Sequence, residues 1–436
     1  MRFNHLPDWL TWQETLHHKS VDFGLERIAR VAARLGIITM PFPVISVAGT
    51  NGKGSCVALL ESIFTEAGYR VGVYTSPHFL RYNERVRIMG HEVSDRALVR
   101  AFDEIDRARA DTTLTYFEFG TLAAAILFCH ATPDVAVLEV GVGGRLDAVN
   151  LFDADLALVT TVGIDHEAWL GHDREAIGRE KAGIYRSGRP AVCGDPYPPV
   201  SLQNHAQSIG AVLHRARRDF WFSMETDGWC WNSVGSSYEG LPKPTLIGRH
   251  QTQNAAAALM AIELMQDHLP VSEDALRRGI KAATLPGRFQ RFLGADGVTR
   301  ILDVAHNQEA AQMLACTLRD HPCDGRTLAV FAILEDKCIE AVLDAMRTVI
   351  DAWYVSNLNV PRGRSTGEIV MAMSRLGMGI HVDVATTVSG AYDAALRSAG
   401  PEDRLVIFGS FYTVSEVLES LRSANDCFEI PNRNSA

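Results

Sequence analysis

VISVAGTNGKGSCVALLESIFTEAGYRVGVY, residues 44–74, decides the fold. Its first five residues, Val44–Ala48, and its last five, Arg70–Tyr74, are short runs rich in β-branched residues and read as strands. Between them Val57, Leu60, Phe64 and Ala67 recur at helical spacing, and Gly68 supplies the stop favoured at a helix C-terminus. Strand, loop, helix, strand is the repeating unit of a parallel α/β sheet. The loop of that unit, Ala48-Gly49-Thr50-Asn51-Gly52-Lys53-Gly54-Ser55, leaves a strand and enters a helix, where backbone N–H groups and the helix N-terminus can cradle phosphate oxygens. A plain glycine turn would account for the glycines but not for a lysine at this point. The loop departs from the standard G-x-x-x-x-G-K-[ST] pattern: position 47 is Val, and Gly54 separates Lys53 from the hydroxyl of Ser55.

Outward from this unit, the alternation of β-branched runs and helical stretches extends from Pro43 to Gly194. Further strands are predicted at Val135–Val140, Leu156–Val162 and Pro190–Cys193. Residues 200–245, with Trp221, Trp229, Trp231 and many Ser, Gly and Pro, read as short antiparallel strands. Two helices follow: the Ala-rich GRHQTQNAAAALMAIELM, then SEDALRRGIKAA, capped by Ser272 with Glu273 and Asp274 in its first turn. The segment TLPGRFQRFLGADG, with Pro286 and several glycines, reads as a domain boundary. Beyond it a second alternation has strands at Arg300–Val304, Thr327–Ile333, Ala352–Ser356, Ile380–Val382 and Arg404–Phe408. The expected fold class is therefore α/β. A P-loop-containing parallel-sheet ATPase domain, residues 1–287, is followed by a smaller Rossmann-like domain, residues 288–436. The last dozen residues read as a fraying tail.

Bulk properties narrow the function. At roughly 150 residues per domain, 436 residues suggest two or three cores. A net charge of −10 argues against nucleic acid, whose phosphates are bound mainly by Lys and Arg. The N-terminus lacks a leader-like apolar core and no apolar run reaches about 18 residues, so the protein is expected to be cytoplasmic and without a membrane partner. Cys56, Cys129, Cys193, Cys230, Cys316, Cys323, Cys338 and Cys427 show no CxxC pair and no zinc-like spacing. They are read as reduced, mostly buried thiols.

Polar residues fall where strands end. Ser76 follows the second strand, Glu139 closes the third and Asp165-His166 follow the fourth. In an open parallel sheet these ends share one edge, where ligands bind, so a hydroxyl, a carboxylate and an imidazole can meet a metal ion beside the phosphate loop. Glu139 is the most telling, because a carboxylate at the end of an apolar strand is costly to bury without a cation or hydrogen-bond partner. The alternatives are a structural Glu139 and a core or capping His166.

GTNGKGS, YTSPHFLRYNERVRI, TYFEFGTLAAA, LEVGVGGRLDAVN, GIDHEAWLG, REKAGI, LPGRFQ and DVAHN occur in order along the chain. Together they resemble the folylpolyglutamate synthase family of the Mur ligase superfamily, from about residue 20 to about residue 420. The resemblance implies ATP-dependent joining of a carboxylate to the amino group of L-glutamate through an acyl-phosphate. By the same likeness Thr50, Asn51, Gly52, Lys53, Gly54 and Ser55 hold the ATP phosphates, and Ser76, Glu139 and His166 coordinate two magnesium ions. Lys181 matches the lysine that this family carbamylates with carbon dioxide; without the resemblance it reads equally as a solvated lysine near a helix end. Lys53, Lys181 and His166 are the implied catalytic residues. Asn254, Arg288 and Asp303 match further ATP contacts, which places ATP between the domains. His306 and Asn307 are candidates for the glutamate side, although Asn307 serves as well as a helix N-cap.

DFGLERIARVAARLG and TYFEFG resemble the dihydropteroate-binding segments of the family's bifunctional branch. Asp22, Phe23, Gly24, Leu25, Thr115, Tyr116, Phe117, Glu118, Leu146, Asp147 and Ala148 would line that pocket. The implied partners are dihydropteroate, tetrahydrofolates and L-glutamate, for a monomer. GRHQTQN has the general superfamily form and does not separate the branches. A monofunctional folylpolyglutamate synthase, a cell-wall ligase of the same superfamily and a P-loop switch ATPase are the rivals. The pterin-like segments argue against the second, and the second α/β domain together with the series of metal ligands against the third. Arg81, Arg85 and Arg87 could attract substrate carboxylates or lie on a solvated face.

Overall fold

A computed structural model describes residues 1–379, 381–423 and 427–430. It divides into two compact units: Met1–Lys243 with Gln253–Ala283, and Pro244–Thr252 with the residues from Thr284 onward.

Among the described residues, the first unit holds an eight-stranded sheet. Its strands are β1 Val44–Ala48, β2 Val71–Tyr74, β3 Val86–Ile88, β4 His91–Glu92, β5 Val135–Glu139, β6 Leu156–Val159, β7 Pro190–Cys193 and β8 Val212–Arg215. The order is β4-β3-β2-β5-β1-β6-β7-β8. From β2 to β8 neighbours run parallel, while β3 and β4 turn antiparallel at one edge. Strand β1 lies inside the sheet and all five of its residues are buried. Val44 and Ala48 belong to one core, with the helices Glu26–Leu35 and Tyr116–Ala131, while Ile45 and Val47 belong to the other, with Lys53–Glu66 and Glu273–Ala282. Successive strand residues point to opposite faces, so a sheet covered on both sides favours a near-continuous apolar run, here interrupted by the small buried Ser46. Burying each Val or Ile stabilises by about 1.5–3 kcal/mol.

Residues 200–245 differ in part from expectation. Val200–Ile209 is a helix that buries Leu202 and Ala206, four residues apart on one face, and ends at Gly210. β8 then joins the main sheet in parallel, with Val192 opposite His214. Only after it come three antiparallel strands, β9 Phe220–Met224, β10 Trp229–Ser233 and β11 Ser237–Leu241. The polar character of the helix hid it, because two buried apolar residues are a faint periodic signal. Trp229 and Trp231 are fully buried, whereas Trp221 is 45% exposed.

In the second unit the order is β16-β15-β14-β17-β13-β12-β18. These are β12 Gln290–Gly294, β13 Thr299–Leu302, β14 Thr327–Phe331, β15 Ala352–Ser356, β16 His381–Ala385, β17 Arg404–Phe408 and β18 Cys427–Glu429. From β13 to β16 neighbours are parallel, and β12 and β18 are antiparallel. Its core gathers Phe331, Trp353 and Phe408 with Leu314, Leu343 and Ile369. TLPGRFQRFLGADG, read as a boundary, contains β12. Ile380, expected in a strand, lies outside the described residues, and the strand there is β16. The tail is not wholly frayed, because Cys427–Glu429 pairs with β12; residues 431–436 lie outside the described residues.

The cysteines need correction too. All eight are free thiols, but only Cys56 and Cys193 are buried, and Cys316 and Cys338 are exposed. Spacing alone does not reveal which side of an element a cysteine faces. Among the described residues no helix is long and apolar enough to cross a membrane.

Candidate active site

The phosphate loop closes β1 and is tied to the residues after β6. Thr50 N donates to Thr161 O at 2.8 Å, and the Thr50 hydroxyl both donates to Gly163 O and accepts from Gly163 N. Asn51 O accepts from the hydroxyls of Thr160 and Thr161 at 2.6 and 3.0 Å. Two glycines are required by space: a Cβ on Gly49 (φ 152°) would lie 1.8 Å from Thr160 Oγ1, and one on Gly52 (φ 91°) 2.5 Å from Asn254 Oδ1. Asn254 is thus brought against the loop. Helix Lys53–Glu66 begins at Gly52 with no side-chain cap, so its first N–H groups and dipole face the loop. Lys53 Nζ folds back to Gly49 O at 3.0 Å and Thr50 O at 3.3 Å. Ser55 is buried in the first turn of the helix.

Beside this loop, Glu139 closes β5 opposite Val47 of β1. It is 6% exposed, and its Oε2 accepts from Ser76 N at 3.2 Å. Ser76 and Glu139 are therefore joined. His166 has left-handed backbone (φ 54°) at the start of the short helix Glu167–Leu170, and its ring stacks on Trp169 with centroids 5.7 Å apart. Trp169 in turn meets the edge of Phe23 at 6.3 Å. Lys181 is 3% exposed in the last turn of helix Arg174–Ala182, so the solvated reading fails. The end of this helix approaches Gly144 closely: a Cβ there would lie 2.7 Å from Glu180 O and 2.9 Å from Lys181 O.

No three His, Cys, Asp or Glu side chains among the described residues form a group able to hold a metal ion. The expected set has only one carboxylate and one imidazole, with Ser76 as its third member. A buried carboxylate at a strand end beside a hydroxyl fits a hard divalent cation.

The acceptor-side residues come together in the first unit. Thr115 caps helix Tyr116–Ala131 through Glu118 N, and Glu118 Oε2 returns to Thr115 N at 2.8 Å. Glu118 Oε1 accepts from Arg27 at 3.1 Å, and Arg27 also reaches Asp22 Oδ2 at 2.5 Å and Asp22 O at 2.6 Å. Asp22 is further bonded by His17 and Lys19, partners that hold its carboxyl below the usual range against the opposing effect of desolvation. Gly24 N points to Leu146 O, and Phe23, Leu146 and Trp169 line a cavity of about 70 Å³. Leu25 precedes helix Glu26–Leu35. Phe117 packs on Tyr74 with centroids 5.9 Å apart, and Ala148 is buried. Asp147 accepts from Val142 N and Val149 N, yet burial pushes its carboxyl up to about 7. Lys53 lies near enough to pull that value down.

In the second unit Asp303 Oδ2 accepts from Phe289 N and Oδ1 from Ala305 N, both at 2.9 Å. Burial raises its carboxyl and the neighbouring Arg288 opposes this. Arg288 lies over the Phe411 ring at 5.5 Å. His306 Nδ1 meets Val304 O at 2.7 Å, which puts its proton on Nδ1. Asn307 is an N-cap, its Oδ1 accepting from Ala310 N at 3.0 Å.

Sequence reading missed Arg27, Thr160, Thr161 and His250. Burial, then Arg288, push His250 down to about 4. Arg27 left one signal: a cation in the first turn of a helix opposes the dipole and so needs a reason. Of the basic cluster, Arg87 pairs with Glu61 at 2.6 Å. Arg85 is buried over Tyr82 and Tyr116, and Arg81 is exposed.

Residues 47–262 match the Mur ligase middle domain and residues 287–411 the Mur ligase glutamate ligase domain. The chain is 46% identical over 414 residues to the dihydrofolate synthase/folylpolyglutamate synthase of Escherichia coli (strain K12), covering 95% of each. Among solved structures it is similar to E. coli FolC in complex with DHPP and ADP, with TM-score 0.90, 45% identity, and 96% and 98% of the two chains covered. It is similar also to a bifunctional folylpolyglutamate synthase/dihydrofolate synthase with Mn, AMPPNP and L-glutamate bound: TM-score 0.88, 42% identity, and the same coverage.

Proposed function

Because the chain belongs to the Mur ligase family, in its dihydrofolate synthase/folylpolyglutamate synthase branch, we propose that it adds L-glutamate to dihydropteroate and to tetrahydrofolates at the expense of ATP. One observation carries the reading: the lysine-bearing phosphate loop, the Ser76–Glu139 pair and the Asp22–Glu118 acceptor segments all belong to one unit built on one mostly parallel sheet. ATP supplies the γ-phosphate that activates the acceptor's carboxylate as an acyl-phosphate, and magnesium offsets the charge on that phosphate.

The residues divide the work. Thr50 and Asn51, whose own N–H groups are engaged by Thr161, shape the loop around the phosphates, and Gly52, Gly54 and Ser55 present backbone N–H groups from it. Lys53 exchanges its carbonyl partners for phosphate oxygens. Ser76, Glu139 and His166 hold the metal ions, and Lys181 supplies a further anion as a carbamate, formed when its neutral amine adds to carbon dioxide and releases a proton. Burial of Lys181 supports this role, since a charged ammonium is seldom placed so deep. Asn254, Arg288 and Asp303 contact the nucleotide. Asp22 to Leu25, Thr115 to Glu118 and Leu146 to Ala148 receive the pterin. His306 serves the glutamate side, since the Asn307 oxygen is engaged as a cap. We also propose a cytoplasmic monomer, supported by the net charge of −10 and the absence of a long apolar run.

The test uses purified protein with ATP, magnesium, L-glutamate and either dihydropteroate or tetrahydrofolate, with products identified by mass. Both acceptors are expected to gain glutamate. Product from tetrahydrofolate alone would make the enzyme monofunctional, and ATP turnover independent of both acceptor and glutamate would overturn the ligase.

A further inference from the structure

Arg27 belongs to none of the groups that bind phosphate, metal or pterin in the proposed reaction, yet it joins the two segments proposed to hold the acceptor. It stands second in helix Glu26–Leu35, whose first turn has no side-chain cap. A cation there opposes the helix dipole, so its gain must come from tertiary contacts. Those contacts are specific. Nη1 donates to Asp22 Oδ2 at 2.5 Å, while Nη2 is shared between Asp22 O at 2.6 Å and Glu118 Oε1 at 3.1 Å. The guanidinium is 24% exposed and the Glu118 side chain 4%. Glu118 divides its two oxygens, one completing the cap with Thr115 and the other receiving Arg27. The same Asp22 oxygen, Oδ2, is shared with His17 Nε2 at 3.1 Å, and His17 Nδ1 rests on the Thr113 hydroxyl at 2.8 Å. A closed belt results, running from residue 113 through His17, Asp22 and Arg27 to Glu118.

We propose that Arg27 is a positioning residue for the acceptor: it latches the segment Asp22–Leu25 onto the start of helix Tyr116–Ala131 and so sets affinity for the pterin-bearing substrate without touching the nucleotide. This rests on the acceptor reading above. A planar fork is needed, because Nη1 and Nη2 serve two carboxylates and a carbonyl at once, and a lysine ammonium carries its donors on one point.

Arg27→Lys keeps the charge and loses the fork. Steady-state kinetics should show the KM for dihydropteroate and for tetrahydrofolate rising together by about tenfold or more, the worth of one or two charge-assisted hydrogen bonds. The KM for ATP and for glutamate should stay within about twofold, as should kcat at saturating acceptor. Glu118→Gln preserves a side chain able to cap and removes the charge. Its effect should be non-additive with Arg27→Lys, the double variant raising the acceptor KM by less than the product of the two single effects. Calorimetric titration of the acceptor reads the same loss without turnover.

Equal rises in the KM values for acceptor, ATP and glutamate, or a fall in kcat alone, would mark Arg27 as a general structural residue. Additive effects of the two substitutions would break the latch. If the unsubstituted enzyme uses neither acceptor, the proposed function fails instead, and the wild-type control shows this separately.

Discussion

Lys181 shows what one residue's burial decides. At 3% exposed in a helix last turn, it cannot be the solvated lysine that its sequence context also allowed. Lys181→Ala should lower ligase activity by about 100-fold or more, as expected when an anion supporting a metal site is removed. Lys181→Arg should not restore it, because arginine stays cationic and cannot form a carbamate. Short carboxylic acids in solution should partly rescue the alanine variant. A fully active Lys181→Arg enzyme would show that positive charge suffices there.

At the scale of the element, the phosphate loop is a rigid turn before a helix. Gly52 is held at φ 91° with Asn254 against it, so Gly52→Ala adds backbone strain of about 1–3 kcal/mol and displaces a side chain that borders the loop. Calorimetric titration with ADP should show affinity reduced by about tenfold or more. Gly36 is a suitable control, since it has φ 72° at a helix C-terminus and a Cβ there would meet nothing within 4 Å. Gly36→Ala should lower stability by about 1 kcal/mol and leave ADP affinity unchanged. Equal affinity in both variants would remove the Gly52–Asn254 contact from nucleotide binding.

For the whole molecule, acid sensitivity follows from buried imidazoles. His78 in the first unit and His250 in the second are each pushed from 6.5 down to about 4, mainly by burial and then by Arg85 and Arg288. A depressed folded pKa means that the neutral form is favoured on folding. Stability is therefore unaffected by these groups above pH 6.5 and falls as pH drops from there towards 4, where the unfolded chain binds the proton and the folded chain does not. Each site takes up about one proton on unfolding in that window, and the dependence of stability on pH steepens accordingly. Asp147 works oppositely, since its carboxyl is raised from 3.8 to about 7 and stability is lost as pH rises through that interval. Urea titrations at several pH values should show a slope shallower by about one proton for His250→Gln between pH 4 and 6.5. An unchanged slope would mean that His250 titrates normally.

The phosphate loop, the parallel sheet and the Rossmann-like second sheet were legible from sequence because each rests on local pattern. Short β-branched runs, period-3.6 apolar stretches and a glycine-lysine turn at a strand end follow from backbone geometry within one or two elements. The Ser272 and Asn307 caps were legible for the same reason. Helix Val200–Ile209, the parallel β8 and the pairing of Cys427–Glu429 with β12 were not, since each gains its stability from distant partners. The Arg27 latch, the burial of Lys181 and the depressed His250 belong to the same class. Their energies come from desolvation and from hydrogen bonds between residues far apart in the chain, as with Arg27 and Glu118. Sequence by itself determined which chemical groups stand at the strand ends; tertiary structure alone decided which of them lose water and which meet.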